Sequence, residues 1–208
     1  MSDVKMRKHT FRKIIFVVLV SFFSLMMQNV FAEDLLPKTP ADYQGPFYPV
    51  TRQQDIDNDL TRIKGQTGEA QGDILNLAGM TVNTSGKPLA GLTIEIWQTD
   101  PQARYKHPGD STPGERDPNF QYWGATITDT EGRFFFRTLV PGAYNPRPAH
   151  IHYKVLQDGK TILTSQIYFI GTDEHEKIPS MTPQNELQTV KLKKITTGKF
   201  EAFFRIVL

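Results

Sequence analysis

Residues 92–98 read LTIEIWQ, and their aliphatic side chains stand at every second position from Leu92 to Ile96. A period of two is typical of a β-strand with one buried face, because successive side chains of a strand point to opposite sides. Turn-forming sequences such as SGKP at 85–88 and PG at 141–142 separate this run from others rich in β-branched and aromatic residues. The further runs are 79–84, 125–129, 133–138, 150–156, 161–169, 189–192 and 200–208. We therefore predict a mainly β fold, an antiparallel β-sandwich with few short helices.

The composition limits the classes of function. The chain has 208 residues, a formal net charge of +2 and no cysteine. That length has room for one domain with a sizeable core, and the weak charge gives no argument for a nucleic-acid partner. Without cysteine the chain can form neither disulfides nor thiolate metal sites, so a bound metal would need His, Tyr, Asp, Glu or backbone oxygen as ligands.

The N-terminus has the layout of a signal peptide. Basic residues crowd the first 13 positions, an apolar run covers 14–27, and VFA at 30–32 precedes acidic Glu33. We predict a signal peptide at 1–32 that is cleaved after Ala32, which makes the mature protein periplasmic or secreted without stable membrane association. The alternative is an uncleaved anchor that leaves the same domain outside the cytoplasm.

The remainder divides into an arm and a domain. Residues 33–72 are rich in Pro, Asp, Gln and Gly and show no sustained period, which predicts an extended N-terminal arm. Its one dense apolar cluster is GPFYP at 45–49. Residues 73–208 form the predicted β-sandwich domain.

Unusual side chains concentrate in the stretch PGAYNPRPAHIH at 141–152. His150 and His152 are two residues apart in a predicted strand, so both imidazoles point to one side, which is a spacing suited to metal ligands. The remaining ligands are open at this point, and the candidates are Tyr105, Tyr144, Asp110, Glu115 and Asp117. A carboxylate would indicate a ferrous oxygenase, whereas phenolates would favour Fe(III). Two hydrogen-bonded histidines without a metal are the simpler alternative.

Several stretches resemble, in order, the intradiol ring-cleavage dioxygenases, and look most similar to the branch that acts on protocatechuate. These stretches are IEIWQ at 94–98, RY at 104–105, DPNF at 117–120, FRT at 136–138, RPAHIH at 147–152 and QIYF at 166–169. The resemblance implies a β-sandwich that holds Fe(3+) through Tyr105, Tyr144, His150 and His152.

The resemblance also implies roles and a reaction. Tyr144 is expected to be the ligand that substrate displaces and to accept a substrate proton, while Arg147 and Gln166 are the other expected active-site residues. Both atoms of O2 would enter a catechol-type substrate, protocatechuate or a related catechol, to give a cis,cis-muconate. The expected partners are this small molecule and O2, with no nucleic acid, and the chain is expected to be a monomer or a homo-oligomer.

One departure from the family pattern bears on the substrate. Only Asn145 and Pro146 separate Tyr144 from Arg147, whereas the protocatechuate enzymes have a longer loop with a tryptophan there. We expect the shorter loop to reshape the pocket, which sets substrate choice. Two alternatives to the enzyme are an exported iron- or catecholate-binding β-sandwich module without turnover and a metal-free transthyretin-like adhesion domain.

Overall fold

A computed structural model describes residues 35–51, 55–144, 146–170 and 186–208. The predicted signal peptide at 1–32 lies outside these ranges. The strands in chain order are β1 (Ile74–Val82), β2 (Thr93–Gln98), β3 (Trp123–Ile127), β4 (Arg133–Leu139), β5 (His150–Gln157), β6 (Lys160–Ile170), β7 (Thr189–Lys191), β8 (Lys193–Thr196) and β9 (Lys199–Val207). No helix in the described ranges is long and apolar enough to cross a membrane.

The strands form two sheets. One has four strands in the order β4-β1-β9-β8, and the other has five in the order β3-β2-β5-β6-β7. Most neighbours pair antiparallel, but β1 with β9 and β6 with β7 pair parallel. The prediction of a mainly β sandwich is confirmed, and both sheets are mixed rather than purely antiparallel.

The core lies between the sheets. It takes alternate residues from both, so that β1 contributes Leu75 and Leu77 and β2 contributes Ile94 and Ile96, all at most 1% exposed. From β5 the core takes Ile151, Tyr153 and Val155, which are equally buried. The alternation of a strand then sends His150, His152 and Lys154 to the other face of the five-stranded sheet.

That outer face is covered by the arm. Residues 36–51 contain no regular strand, and their backbone donates hydrogen bonds to the sheets: Thr39 N to Val207 O at 2.9 Å, and Asp42 N to Thr164 O at 2.9 Å. Further along, Leu60 is fully buried in the core. Because the arm covers the outer face, His150 and His152 are only 2% and 3% exposed although they point away from the core.

Candidate metal centre and active site

The four side chains predicted as metal ligands meet on this covered face. Nε2 of His150 lies 3.1 Å from Nε2 of His152 and 3.3 Å from the hydroxyl oxygen of Tyr105. The ring of Tyr144 lies 5.6 Å from that of His150 and 6.0 Å from that of Tyr105, centroid to centroid. Two imidazoles and two phenol rings therefore cluster here, and their binding of iron stays a prediction.

The histidines present the form that binds metals. Nδ1 of His150 lies 2.6 Å from the carbonyl oxygen of Pro148, and a carbonyl only accepts, so Nδ1 carries the proton and Nε2 is the unprotonated nitrogen. Burial lowers the pKa of His150 to about 4, with a smaller effect from the charge of Arg147. Burial and the neighbouring His150 also hold the pKa of His152 well below its ordinary value. Both imidazoles are therefore neutral at pH 7, as metal coordination requires.

Tyr105 needs a cation beside it in order to ionise. Tyr105 is 3% exposed, and burial, reinforced by the nearby Tyr144, raises its pKa far above the usual value. A phenolate in this site is therefore stable only if a positive charge is bound beside it. Two neutral imidazoles and two phenol oxygens are a donor set that fits a hard trivalent ion such as Fe(III).

Two of the three carboxylates considered as ligands, Asp110 and Asp117, have other partners. Asp110 accepts the backbone N–H of Tyr105 at 2.6 Å and forms an ion pair with Arg116 at 3.3 Å. Asp117 accepts the backbone N–H of Gln71 at 2.7 Å. Within the described residues, no three His, Cys, Asp or Glu side chains gather at a common point. The site therefore lacks the two-histidine, one-carboxylate arrangement.

Asp100 shapes the loop that carries Tyr105. Its buried carboxylate accepts the Nε–H of Arg104 at 2.9 Å and the hydroxyl of Tyr122 at 3.0 Å. Its carbonyl accepts the N–H of Gly142 at 3.0 Å, and a Cβ at Gly142 would lie 2.5 Å from the backbone of the Tyr105 loop. The loops that carry the two tyrosines thus pack directly on each other.

A tight turn holds Tyr144 beside Arg147. Tyr144 N donates to Arg147 O at 3.1 Å, and Arg147 N donates back to Tyr144 O, so the two residues form an antiparallel bridge. Both side chains are partly exposed, whereas Tyr105 and the histidines are buried. The centre is therefore accessible from the side of Tyr144 and Arg147.

A hydrogen-bond network orients Arg147. Its Nη2 donates to Oε1 of Gln166 and lies 3.5 Å from the hydroxyl of Tyr168. Gln166 is fully buried and donates to the carbonyl of Tyr43 at 2.8 Å, and Tyr168 donates to Asp42 at 3.0 Å. Two residues of the arm therefore fix the partners of Arg147.

Four residues that contact the site were given no role in it by the sequence analysis: Asp42, Gly45, Phe47 and Tyr168. The ring of Phe47 lies 4.8 Å from that of Tyr105, and a Cβ at Gly45 would lie 3.1 Å from Cε1 of His152. Tyr168 could have been found, because it stands two residues from Gln166 in a predicted strand and so points to the same side; the structure pairs it in register with His150. The apolar cluster at 45–49 was the visible signal for the arm.

Residues 43–184 match a family model described as dioxygenase. The β chain of protocatechuate 3,4-dioxygenase from Burkholderia cepacia is 36% identical over 139 residues, which cover 62% of this chain and 59% of that one. A chlorocatechol 1,2-dioxygenase from Pseudomonas sp. (strain P51) is 31% identical over 117 residues, which cover 48% of this chain and 45% of that one. This chain thus spans less than two thirds of the length of these relatives.

Solved structures share the fold. The dioxygenase domain of a dioxygenase and carbohydrate-binding protein fusion from Streptomyces sp. SirexAA-E has a TM-score of 0.63 at 27% identity, covering 83% of this chain and 98% of that one. An intradiol ring-cleavage dioxygenase from Tetranychus urticae has a TM-score of 0.63 at 20% identity, and the match covers 82% of this chain and 94% of that one. The arrangement of both sheets is therefore shared with known dioxygenase domains.

Proposed function

Because the chain belongs to the intradiol ring-cleavage dioxygenase family, we propose that it is a non-haem Fe(III) enzyme that cleaves catechols between their two hydroxyls. The reaction would insert both atoms of O2 and give a cis,cis-muconate. The observation that supports this most is the clustering of Tyr105, Tyr144, His150 and His152 on the arm-covered face of the five-stranded sheet. Iron(III) bound there would supply Lewis-acid and template chemistry to a chelated catecholate, without an external electron donor.

Tyr144 is the proposed proton acceptor. A catechol hydroxyl must lose its proton to bind as an anion. Of the four candidate ligands, Tyr144 lies on the accessible side of the centre. Once the substrate has displaced it, its oxygen would accept that proton, which is the role of a general base positioned beside the reacting group. Tyr105 is buried against Phe47 and keeps its place.

Arg147 is the proposed electrostatic group. Its guanidinium is held by Gln166 and Tyr168, and its backbone forms a bridge with that of Tyr144, so its charge is fixed before the substrate arrives. A fixed charge beside a desolvated site stabilises negative charge that develops on the substrate ring and its oxygens. Gln166 orients Arg147 and is held in turn by the arm.

The proposed substrate class is a catechol, with protocatechuate included. The relatives are named for protocatechuate, chlorocatechol and catechol, so membership of the family leaves the ring substituent open. The tight turn between Tyr144 and Arg147 lies at the accessible side of the centre, where it would contact a substituent on the catechol ring. We also propose that the mature protein acts outside the cytoplasm, on the basis of the signal-peptide pattern at 1–32.

The test is a visible absorption spectrum of the iron-loaded mature protein. A tyrosinate-to-Fe(III) charge-transfer band should colour it red-brown, anaerobic protocatechuate or catechol should shift the band, and air should discharge the shifted band as the ring opens. Tyr105→Phe should weaken the band. Tyr153→Phe is the matched control, because Tyr153 neighbours His152 on β5 but points into the core, and it should keep the colour.

The outcomes separate the alternatives. A colourless protein with bound iron would contradict the ligand set. A shifted band that persists in air would contradict catalysis and favour a catecholate-binding module.

A further inference from the structure

Tyr48 of the arm is fastened to the outer face of the five-stranded sheet by three contacts. Its hydroxyl donates to Oε2 of Glu95 at 2.8 Å, and Nζ of Lys154 lies 3.4 Å from the centre of its ring. The ring also meets Trp97 edge-on, with centroids 5.0 Å apart and an interplanar angle of 87°. We call Tyr48 with Glu95, Trp97 and Lys154 the Tyr48 anchor.

The anchor is built next to the candidate metal centre. Glu95 on β2 pairs in register with Lys154 on β5, and in the next same-face row Trp97 pairs with His152. The indole of Trp97 stacks on the imidazole of His152, with centroids 5.0 Å and planes 8° apart. Tyr48 therefore rests on the side chain that supports one face of His152.

The anchor also fixes the preceding residues of the arm. Gly45 has a φ of +75°, and its backbone comes so close to His152 that an added Cβ would lie 3.1 Å from Cε1. Phe47, next to Tyr48 in the chain, packs on Tyr105. The segment that Tyr48 attaches thus contacts two of the four candidate ligands, the histidine His152 and the tyrosine Tyr105.

The charge state of Tyr48 suits this role. Burial, together with the hydrogen bond and the negative charge of Glu95, raises the pKa of Tyr48 well above its usual value. The hydroxyl therefore stays protonated and remains a donor. A hydrogen bond to a carboxylate is stronger than one between neutral groups, and an ammonium over an aromatic face adds attraction.

We propose that Tyr48 is a positioning residue, which holds arm residues 45–48 against His152 and Tyr105 and thereby sets how tightly the centre retains iron. The inference rests on the proposed function. Groups that orient metal ligands typically change metal affinity about 10- to 100-fold when they are removed.

The test measures iron retention instead of turnover. Iron-loaded proteins are mixed with excess chelator and the decay of the charge-transfer band is followed, together with the position of that band and the rhombicity of the Fe(III) electron paramagnetic resonance signal. Tyr48→Ala removes the anchor, Tyr48→Phe removes only the hydroxyl, and Glu95→Gln removes the charge of the acceptor. Val50→Ala, at an exposed arm residue, is the control.

We expect Tyr48→Ala to release iron about tenfold faster or more and to change the band and the resonance signal. Tyr48→Phe and Glu95→Gln should fall between it and the wild type, and Val50→Ala should match the wild type. If Tyr48→Ala fails to fold, the two milder variants carry the test, since neither removes the aromatic ring.

Release rates and spectra equal to wild type in the folded Tyr48 and Glu95 variants would overturn the inference. Equal acceleration in Val50→Ala would also overturn it, because the effect would then belong to the arm as a whole. Failure of the proposed function would appear separately, as a wild-type protein that forms no tyrosinate–iron band.

Discussion

The buried carboxylate of Asp100 holds the guanidinium of Arg104, with 2.9 Å between Oδ2 and Nε, immediately before Tyr105 in the chain. The same carboxylate accepts the backbone N–H groups of Gln102 and Arg104 at 2.9 and 3.1 Å. The ion pair and the turn are thus one unit that sets the direction of the Tyr105 loop.

Asp100→Asn tests that unit. An amide has one acceptor oxygen instead of two, and its NH2 group would face the donors of Arg104 or Tyr122, leaving a buried charge without its partner. We expect the free energy of unfolding to fall by about 3 kcal/mol, because breaking a buried pair from one side leaves an uncompensated charge. Chemical denaturation of the iron-free protein measures the change.

The chain contains its own control for this substitution. Asp129 holds Arg133 in the same i,i+4 geometry, with its carboxylate accepting the N–H groups of Glu131 and Arg133, but this pair is exposed. Asp129→Asn should change stability little, because water replaces the lost contacts. Equal losses in the two variants would mean that burial of the Asp100 pair is not what matters.

Gly45→Ala should weaken iron binding more than it weakens the fold. An alanine there has to accept a φ of +75° and push against His152, which must move by a few tenths of an ångström. Gly65 has a φ of +84° with nothing within 4 Å of an added Cβ, so Gly65→Ala shares the backbone strain without the contact. Both should lose about 1 kcal/mol of unfolding free energy, measured by denaturation.

Only Gly45→Ala should also lose iron faster to a chelator and shift the charge-transfer band. If Gly65→Ala behaves in the same way, the loss arises from strain in the arm and not from contact with His152.

Arg147→Gln should separate iron binding from ring cleavage. The arginine is partly exposed and is held by Gln166, so its loss leaves the four candidate ligands in place. Loss of a fixed group that stabilises transition-state charge typically costs about 10²- to 10³-fold in kcat. Single-turnover discharge of the catecholate band in air should slow by that order, while the band of the substrate-free protein stays unchanged.

Arg147→Lys should recover part of the rate, since it keeps the charge but not the planar fork that Gln166 and Tyr168 hold. A glutamine variant that discharges the band at the wild-type rate would remove Arg147 from the mechanism.

The sequence predicted what depends on local periodicity. Alternation located β2, β4, β5 and β6 closely and placed His150 and His152 on one side of β5. It missed the start of β1, because ILNLA at 74–78 is apolar at nearly every position and includes the poor strand former Asn76. It also missed β8, whose four residues are all exposed, so no buried face imposes a pattern.

The sequence could not predict the contacts between segments that lie far apart in the chain. The parallel pairing of β1 with β9 joins distant segments, and no periodicity encodes it. Trp97 is buried on the outer face of its sheet, where it stacks on His152, a contact that depends on how β2 and β5 pair. The contact of Gly45 with His152 is likewise between a backbone and a ring from segments more than 100 residues apart, and it leaves no local pattern.

The buried histidines predict a pH dependence of the iron-free protein. The pKa of His150 is about 4 in the fold, because burial disfavours the charged ring, against about 6.5 in an unfolded chain. Between these values the unfolded chain binds more protons than the folded one. Stability is therefore greatest above about pH 6.5 and falls as the pH drops toward 4.

At about 1.4 kcal/mol per pH unit of difference, His150 alone accounts for about 3 kcal/mol of that loss. His152 acts in the same direction, because its pKa is also lowered. Urea denaturation of the chelator-treated protein between about pH 7 and 5 measures the slope, because this range lies above the ordinary pKa values of aspartate and glutamate. His150→Gln should flatten the curve, and a wild-type unfolding free energy that stays constant over this range would show that the imidazoles are not held neutral by burial.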